Sequence, residues 1–143
     1  MMISTKGRYA LRVMIDLAEH QSQNFIPLKE IAERQEISEK YLESIIKILV
    51  RGGLLTGLRG KGGGYKLTKL SEQYTVGEIL RLTEDSLAPV ACLNETPMQC
   101  MRAAECKTLS MWKDLYTMIN DYFDGITIAD LVQSGNEGNE FVI

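Results

Sequence analysis

The sequence feature that most constrains the fold is a glycine-rich stretch, residues 52–64, which holds seven of the chain's 12 glycines. It begins with Gly52-Gly53, a pair typical of the end of a helix. Two short runs of apolar and polar residues, LLTGL and YKLTKL, then flank the segment RGKGGG. This pattern predicts a β-hairpin with a long, glycine-rich tip.

Helical periodicity dominates the chain before this stretch. Apolar residues at helical spacing predict a first amphipathic helix from Ser4 or Thr5 to about Glu19. Pro27 suits the first turn of a short second helix, and Ser38 is an N-cap candidate for a third. The residues expected to face inward are Leu28, Ile31 and Ala32 on the second helix and Leu42, Ile45, Ile46, Leu49 and Val50 on the third.

Helical signals return after the hairpin. The capping box from Thr75 to Glu78 predicts a short helix. An apolar stripe predicts a helix of roughly four turns that ends at Gly125, and one more short helical turn follows at 127–130. The stripe consists of Leu109, Trp112, Leu115, Ile119 and Tyr122. The predicted organisation is a first domain of helices and hairpin at 1–83, a cysteine-containing loop at 84–107, a long helix with a short C-terminal helix at 108–132, and a flexible tail at 133–143.

The charges of the chain are unevenly distributed. Residues 1–70 hold 12 Lys and Arg against 7 Asp and Glu, whereas residues 71–143 hold 4 against 12, and the net charge is −3. A basic first half is the electrostatic pattern expected of a nucleic-acid-binding surface, although small domains often show such an imbalance by chance.

The sequence argues against several other classes of protein. No apolar run is long enough to span a membrane, and the N-terminal residues do not have the pattern of a signal peptide. We therefore expect a cytoplasmic protein with reduced thiols and no membrane association. The chain has one histidine and no recognisable nucleophile–base motif, so an enzyme is not expected.

Two short helices followed by a hairpin are typical of a winged helix-turn-helix, in which the later helix enters the major groove. The polar side chains of the third helix and of the hairpin tip are then the candidate contacts to double-stranded DNA. They are Lys40, Tyr41, Glu43, Ser44, Arg59 and Lys61. A phosphate-binding P-loop is the weaker interpretation of RGKGGG, because Gly62 stands where that motif needs Ser or Thr and a strand follows.

Four segments closely resemble the Rrf-type family of bacterial winged-helix transcription regulators: STKGRYALRVMIDLA, ISEKYLESIIKILVRGGLL, LRGKGGGYKL and TVGEILR. The likeness extends to about residue 132. It implies a mainly α fold with a small β-hairpin, a homodimer formed through the long C-terminal helix, and a palindromic DNA operator. It also implies that the third helix and Arg59 contact bases and that Lys61 contacts a phosphate.

Three clustered cysteines, Cys92, Cys100 and Cys106, are the chain's only ones. An odd, clustered set is a poor disulfide framework, but it suits a soft metal or an iron–sulfur cluster. Family members that sense through such a cluster, of the 2Fe–2S or 4Fe–4S type, carry three cysteines in the same place. The fourth ligand of those relatives is missing, because Leu109 and Arg8 stand at the two positions that supply it.

The resemblance therefore implies a dimeric regulator, expected to be a repressor, whose operator binding is modulated by an iron–sulfur cluster. Two alternatives remain open at this stage. One is a cluster-free regulator of the same family, controlled by a partner protein or by thiol or zinc chemistry. The other is a small iron–sulfur electron carrier or scaffold, although such carriers usually have four cysteine ligands.

Overall fold

The computed structural model describes residues 2–21, 24–94 and 103–138. Six α-helices and one β-hairpin make up the architecture of these residues. In chain order they are α1 (Thr5–Glu19), α2 (Leu28–Gln35), α3 (Glu39–Arg51), β1 (Leu55–Leu58), β2 (Gly64–Leu67), α4 (Val76–Thr83), α5 (Leu109–Asp124) and α6 (Ile128–Gly138). Among the described residues no helix is long and apolar enough to cross a bilayer.

The first three helices begin where the sequence predicts. The Ser4 side chain accepts a hydrogen bond from the Gly7 amide, and the Ser38 side chain accepts one from Tyr41, so both cap otherwise unpaired N–H groups. The turn between α2 and α3 passes through Glu36, whose φ of 54° is left-handed. One inward-facing prediction is wrong. Val50 is exposed, because it projects into the groove beside the hairpin rather than into the core.

The hairpin forms as predicted, with β1 and β2 antiparallel and Leu55 opposite Leu67. A third short stretch joins it, since Ile26 and Tyr65 exchange two backbone hydrogen bonds of 2.9 and 2.8 Å. At the base of the hairpin, the buried Tyr74 hydroxyl accepts from the amides of Thr68 and Lys69 and donates to the Leu54 carbonyl. The hairpin, which we call the wing, is therefore attached to the rest of the domain at both of its sides.

Of the C-terminal helices, only the last, α6, differs in length from the sequence prediction. Thr75 caps α4 and Gly125 ends α5, as expected. However, α6 runs from Ile128 to Gly138 instead of forming one short turn, so it enters the segment predicted to be a flexible tail. The helix begins with a reciprocal cap between Thr127 and Asp130, which stabilises its first turn.

Two clusters of buried apolar side chains hold the fold together. The larger one joins α1, α2, α3, the base of the hairpin and the start of α6. The smaller one, Val76, Leu80 and Leu87, packs against one face of α5. Because α1 contacts four other helices, it is the central element of the domain.

Candidate nucleic-acid interface and cysteine segment

A groove lies between one face of α3 and the hairpin. Glu43, Lys47 and Arg51 line its helical side, and Leu58 and Arg59 line its hairpin side. Of the predicted contact residues, Glu43 and Arg59 are thus brought together on one surface. The arrangement places one carboxylate and three cations beside the exposed surface of the third helix, and such cations suit the phosphates of a duplex.

The first turns of α3 carry three more of the predicted residues, Lys40, Tyr41 and Ser44, and all three are exposed. The Ser44 hydroxyl donates to the Tyr41 carbonyl over 2.6 Å, which leaves its oxygen lone pairs directed at solvent as acceptors. Base edges in a major groove are contacted by side chains near the N-terminal end of a recognition helix. The exposed start of α3 provides such side chains.

The hairpin tip presents the last predicted residue, Lys61, close in sequence to Arg59, and both are exposed. Gly60 separates them and Gly62 follows Lys61, with φ values of 93° and 77°. Residues other than glycine are strained at such positive φ values, so the glycines of RGKGGG allow the tip to turn here. Lys61 therefore has a glycine on both sides in the sequence, and Arg59 has one on its C-terminal side.

The charges of the groove interact only weakly with each other. Lys47 Nζ lies 4.0 Å from Glu43 Oε1, and both side chains are more than half exposed. Exposed pairs of this kind contribute little to stability, so both groups remain available to a ligand. The Glu43 carboxylate can accept a hydrogen bond from the N4 amino group of cytosine, while the cations suit phosphates.

Two cations of the groove were not among the predicted contacts. Lys47 and Arg51 follow Glu43 at intervals of four residues, so all three lie on one face of α3. Helical spacing alone would have indicated them, because positions i, i+4 and i+8 share a face.

A buried ionic cluster joins α1 to the end of α2, next to the turn that leads to α3. Asp16 is 1% exposed and accepts hydrogen bonds from Arg34 Nε, Arg34 Nη2 and Gln35 Nε2 at 2.7–3.0 Å. The hydrogen bond to Asp16 raises the pKa of Arg34 above its ordinary value, with the Glu30 hydrogen bond adding to the effect against a desolvation cost. His20, the single histidine, caps α1 with Nδ1 2.8 Å from the Asp16 carbonyl oxygen.

The helix α5 has two different apolar faces. Tyr116, Ile119 and Phe123 pack against the smaller core cluster. A second face is exposed, and it consists of Met111, Leu115, Met118 and Tyr122. The predicted stripe is therefore divided, since Ile119 faces the core while Leu115 and Tyr122 face outward. Beside the inner face, Arg81 on α4 donates two hydrogen bonds of 2.8 Å to the Asp124 carboxylate, which fixes α4 against α5.

Two of the three predicted metal ligands lie within the described residues. Cys92 is half-buried in a single 3₁₀ turn, Ala91–Leu93, and Cys106 is exposed just after another, Ala103–Glu105. Cys100 lies outside the described residues, so its placement relative to the other two is untested. Within residues 2–21, 24–94 and 103–138, no group of three or more His, Cys, Asp or Glu side chains is placed to hold a metal ion.

Comparisons with known proteins agree with this architecture. A family model described as "Rrf2: Iron-dependent Transcriptional regulator" matches residues 3–134. The transcriptional regulator IscR of Vibrio campbellii is 35% identical over 133 residues, which cover 93% of this chain and 78% of the relative. The protein rrf2 of Nitratidesulfovibrio vulgaris is 37% identical over 140 residues, covering 95% of this chain and 90% of the relative.

Two solved structures share the fold along almost their whole length. IscR of T. potens superposes with a TM-score of 0.73 at 33% identity, covering 96% of this chain and 90% of the other. CymR, the global cysteine regulator of B. subtilis, superposes with a TM-score of 0.75 at 33% identity, covering 94% and 98%. The chain therefore belongs to the Rrf2 family of winged-helix transcriptional regulators.

Proposed function

We propose that the protein is a homodimeric repressor that binds a palindromic operator in the cytoplasm, and that an iron–sulfur cluster held by its cysteines sets the operator affinity. In this proposal Lys40, Tyr41, Glu43 and Ser44 face base edges in the major groove. Arg59 enters the adjacent minor groove, and Lys61 contacts a phosphate.

The observation that carries the DNA-binding part is the groove between α3 and the hairpin. Glu43 and Arg59 line it from opposite sides, so a duplex seated on α3 would meet the wing with the same surface. An arginine on a narrow glycine-rich tip suits a minor groove, where the negative potential is strongest. Neutralising phosphates with Lys47, Arg51 and Lys61 would supply most of the affinity.

Replacing Arg59 tests this placement. Arg59→Ala should weaken binding to the selected operator by roughly 1–3 kcal/mol and relax its sequence preference. Lys113→Ala is a matched control, because it also removes one exposed cation but lies on α5. Equal affinities of the two variants for the operator in a fluorescence-anisotropy titration would remove Arg59 from the interface.

The exposed face of α5 supports the homodimer. Its four apolar residues are spaced by four, three and four positions, which is the spacing of a two-helix seam. Met118 and Tyr122 are 66% and 67% exposed, a costly arrangement for a helix with no partner. Two copies joined through this face would present two copies of α3, which suits a palindromic operator.

The donor chemistry of the cysteine segment fits an iron–sulfur cluster. Three thiolates are the soft ligands that such clusters bind, and Cys92 and Cys106 both lie at short turns accessible to a ligand. Cys92, Cys100 and Cys106 would hold the cluster, with a fourth ligand that the sequence leaves unassigned. When bound, the cluster would supply a centre sensitive to oxygen, nitric oxide or iron supply.

Anaerobic purification followed by visible absorption and iron and sulfide analysis tests the cluster directly. We expect a coloured protein whose iron is lost in a Cys92→Ala variant. A protein that stays colourless and iron-free after reconstitution would contradict the cluster and leave DNA binding intact. Zinc found in its place would instead favour the zinc alternative.

A further inference from the structure

Side chains of α1 contact the residues on both sides of the turn between α2 and α3. Arg12 on α1 donates from Nε to the Gln35 side-chain oxygen over 3.1 Å and from Nη2 to the Gln35 carbonyl. Gln35 is the last residue of α2, and its side-chain amide donates from Nε2 to the buried Asp16 carboxylate over 2.8 Å. Two residues of α1 therefore fix the end of α2, immediately before the left-handed turn at Glu36.

The other side of the same turn also contacts α1. Tyr41, in the first turn of α3, meets the ring of Tyr9 edge to face, with centroids 5.8 Å apart and planes at 73°. The Arg12 guanidinium lies 4.9 Å from the centre of the Tyr9 ring. Aromatic pairs of this geometry attract each other, and a guanidinium beside an aromatic ring is attracted to it as well.

These contacts form one continuous chain of side chains: Asp16, Gln35, Arg12, Tyr9 and Tyr41. This series of contacts ends at the exposed start of α3, where the Tyr41 carbonyl accepts a hydrogen bond from the Ser44 hydroxyl. A displacement of the first turn of α3 would move the Tyr41 and Ser44 side chains relative to base edges. Hydrogen bonds to bases tolerate only small changes in distance and angle.

We propose that Tyr9 and Arg12 are positioning residues that fix the first turn of α3 and thereby determine sequence preference, without contacting DNA bases themselves. The inference rests on the proposed function of α3 in DNA recognition. It adds two half-buried residues of α1 to the determinants of operator choice.

Four variants of the full chain separate positioning from charge and from ring packing. Arg12→Met removes both bonds to Gln35 and the charge, whereas Arg12→Lys keeps the charge and loses the two-pronged geometry. Tyr9→Leu removes the aromatic contact, and Tyr9→Phe retains the ring. Each variant is titrated with the duplex that the wild type selects from a random library, and with a shuffled duplex of the same length, over a range of salt concentrations.

The affinity ratio between the two duplexes should fall by about ten-fold or more in Arg12→Met, Arg12→Lys and Tyr9→Leu, the change expected when base contacts are misplaced. Tyr9→Phe should keep the wild-type ratio. Binding of Arg12→Lys to the shuffled duplex and its salt dependence should be unchanged. Thermal melting by circular dichroism verifies that each variant is folded; if Arg12→Met does not fold, Arg12→Lys and Tyr9→Leu still decide the question.

Three results would overturn the inference. A lower melting temperature with an unchanged affinity ratio would show a purely structural role. Equal weakening on both duplexes, with a salt slope reduced by about one, would make Arg12 a phosphate contact. A wild-type protein that selects no duplex would instead refute the proposed function itself, and with it this inference.

Discussion

The Tyr74 hydroxyl offers a sharp test of how the wing is attached. Tyr74 is fully buried, and its hydroxyl accepts from the amides of Thr68 and Lys69 at 2.8 and 2.9 Å and donates to the Leu54 carbonyl at 2.8 Å. One oxygen therefore joins the residues that enter β1 to the residues that leave β2. The substitution Tyr74→Phe removes this oxygen and leaves the ring in place.

The expected cost follows from the groups that lose their partner. The Leu54 carbonyl loses its hydrogen bond from the Tyr74 hydroxyl, because the single proton of the Thr68 hydroxyl has a closer acceptor in the Gly53 carbonyl, at 2.8 Å against 3.3 Å. The amides of Thr68 and Lys69 lose their hydrogen bonds in a partly buried site, at about 1 kcal/mol or slightly more each. We expect the free energy of unfolding to fall by about 2–3 kcal/mol, and the melting temperature by about 5–10 °C.

Tyr41→Phe is the matched control, since it removes a hydroxyl from an exposed side chain that lies away from the proposed dimer face, and it should change stability by less than about 0.5 kcal/mol. Both variants are unfolded in urea at one protein concentration, because the proposed dimerisation would make the apparent stability depend on concentration. Equal midpoints for Tyr74→Phe and Tyr41→Phe would refute the reasoning. Operator affinity should also fall in Tyr74→Phe, because the wing loses its anchor.

Three further predictions concern other contacts. Asp16→Asn breaks the buried pair with Arg34 and should lower the free energy of unfolding by about 3 kcal/mol in urea titrations, whereas unchanged stability would show that the pair is not formed. Met118→Glu places a charge in the exposed face of α5 and should convert a dimer to a monomer in light scattering; a variant that remains dimeric would locate the interface elsewhere. The hydrogen bond from Arg81 lowers the pKa of Asp124, so the ionised carboxylate stabilises the fold. The free energy of unfolding of the wild type should therefore exceed that of Asp124→Asn at pH 7, and the difference should shrink as the pH falls below 3.8. A difference that persists at low pH would contradict that assignment.

Much of the fold follows from local signals in the sequence. Caps at Ser4, Ser38 and Thr75 and the glycines of the hairpin tip each fix an element through contacts within a few residues. Such signals are visible without knowing the tertiary structure. The first residues of α1, α3 and α4 were therefore predictable, and so was the order of a winged helix.

The errors arise where distant parts of the chain decide the outcome. Val50 has the spacing of a core residue, but the hairpin leaves a groove beside it instead of covering it. The stripe on α5 could not be divided into inner and outer faces before α4 was known to pack against Ile119. The contacts of Tyr9 and Arg12 also join three helices, and no local pattern indicates them.

The cysteine segment remains a prediction from residue type and spacing. The structure places Cys92 and Cys106 at short turns, while Cys100 lies outside the described residues. A cluster also requires ligands that approach one another across a loop, and spacing alone does not establish that geometry.

The most direct test of the central claim is the affinity of the wild-type chain for its selected duplex and for a shuffled duplex between 50 and 200 mM salt, concentrations over which phosphate-dominated binding changes steeply. Recognition through α3 and the wing predicts a preference of about 10³-fold or more for the selected duplex, and affinity for both duplexes that falls as salt rises. Equal affinity for the two duplexes, or binding that does not change with salt, would contradict it.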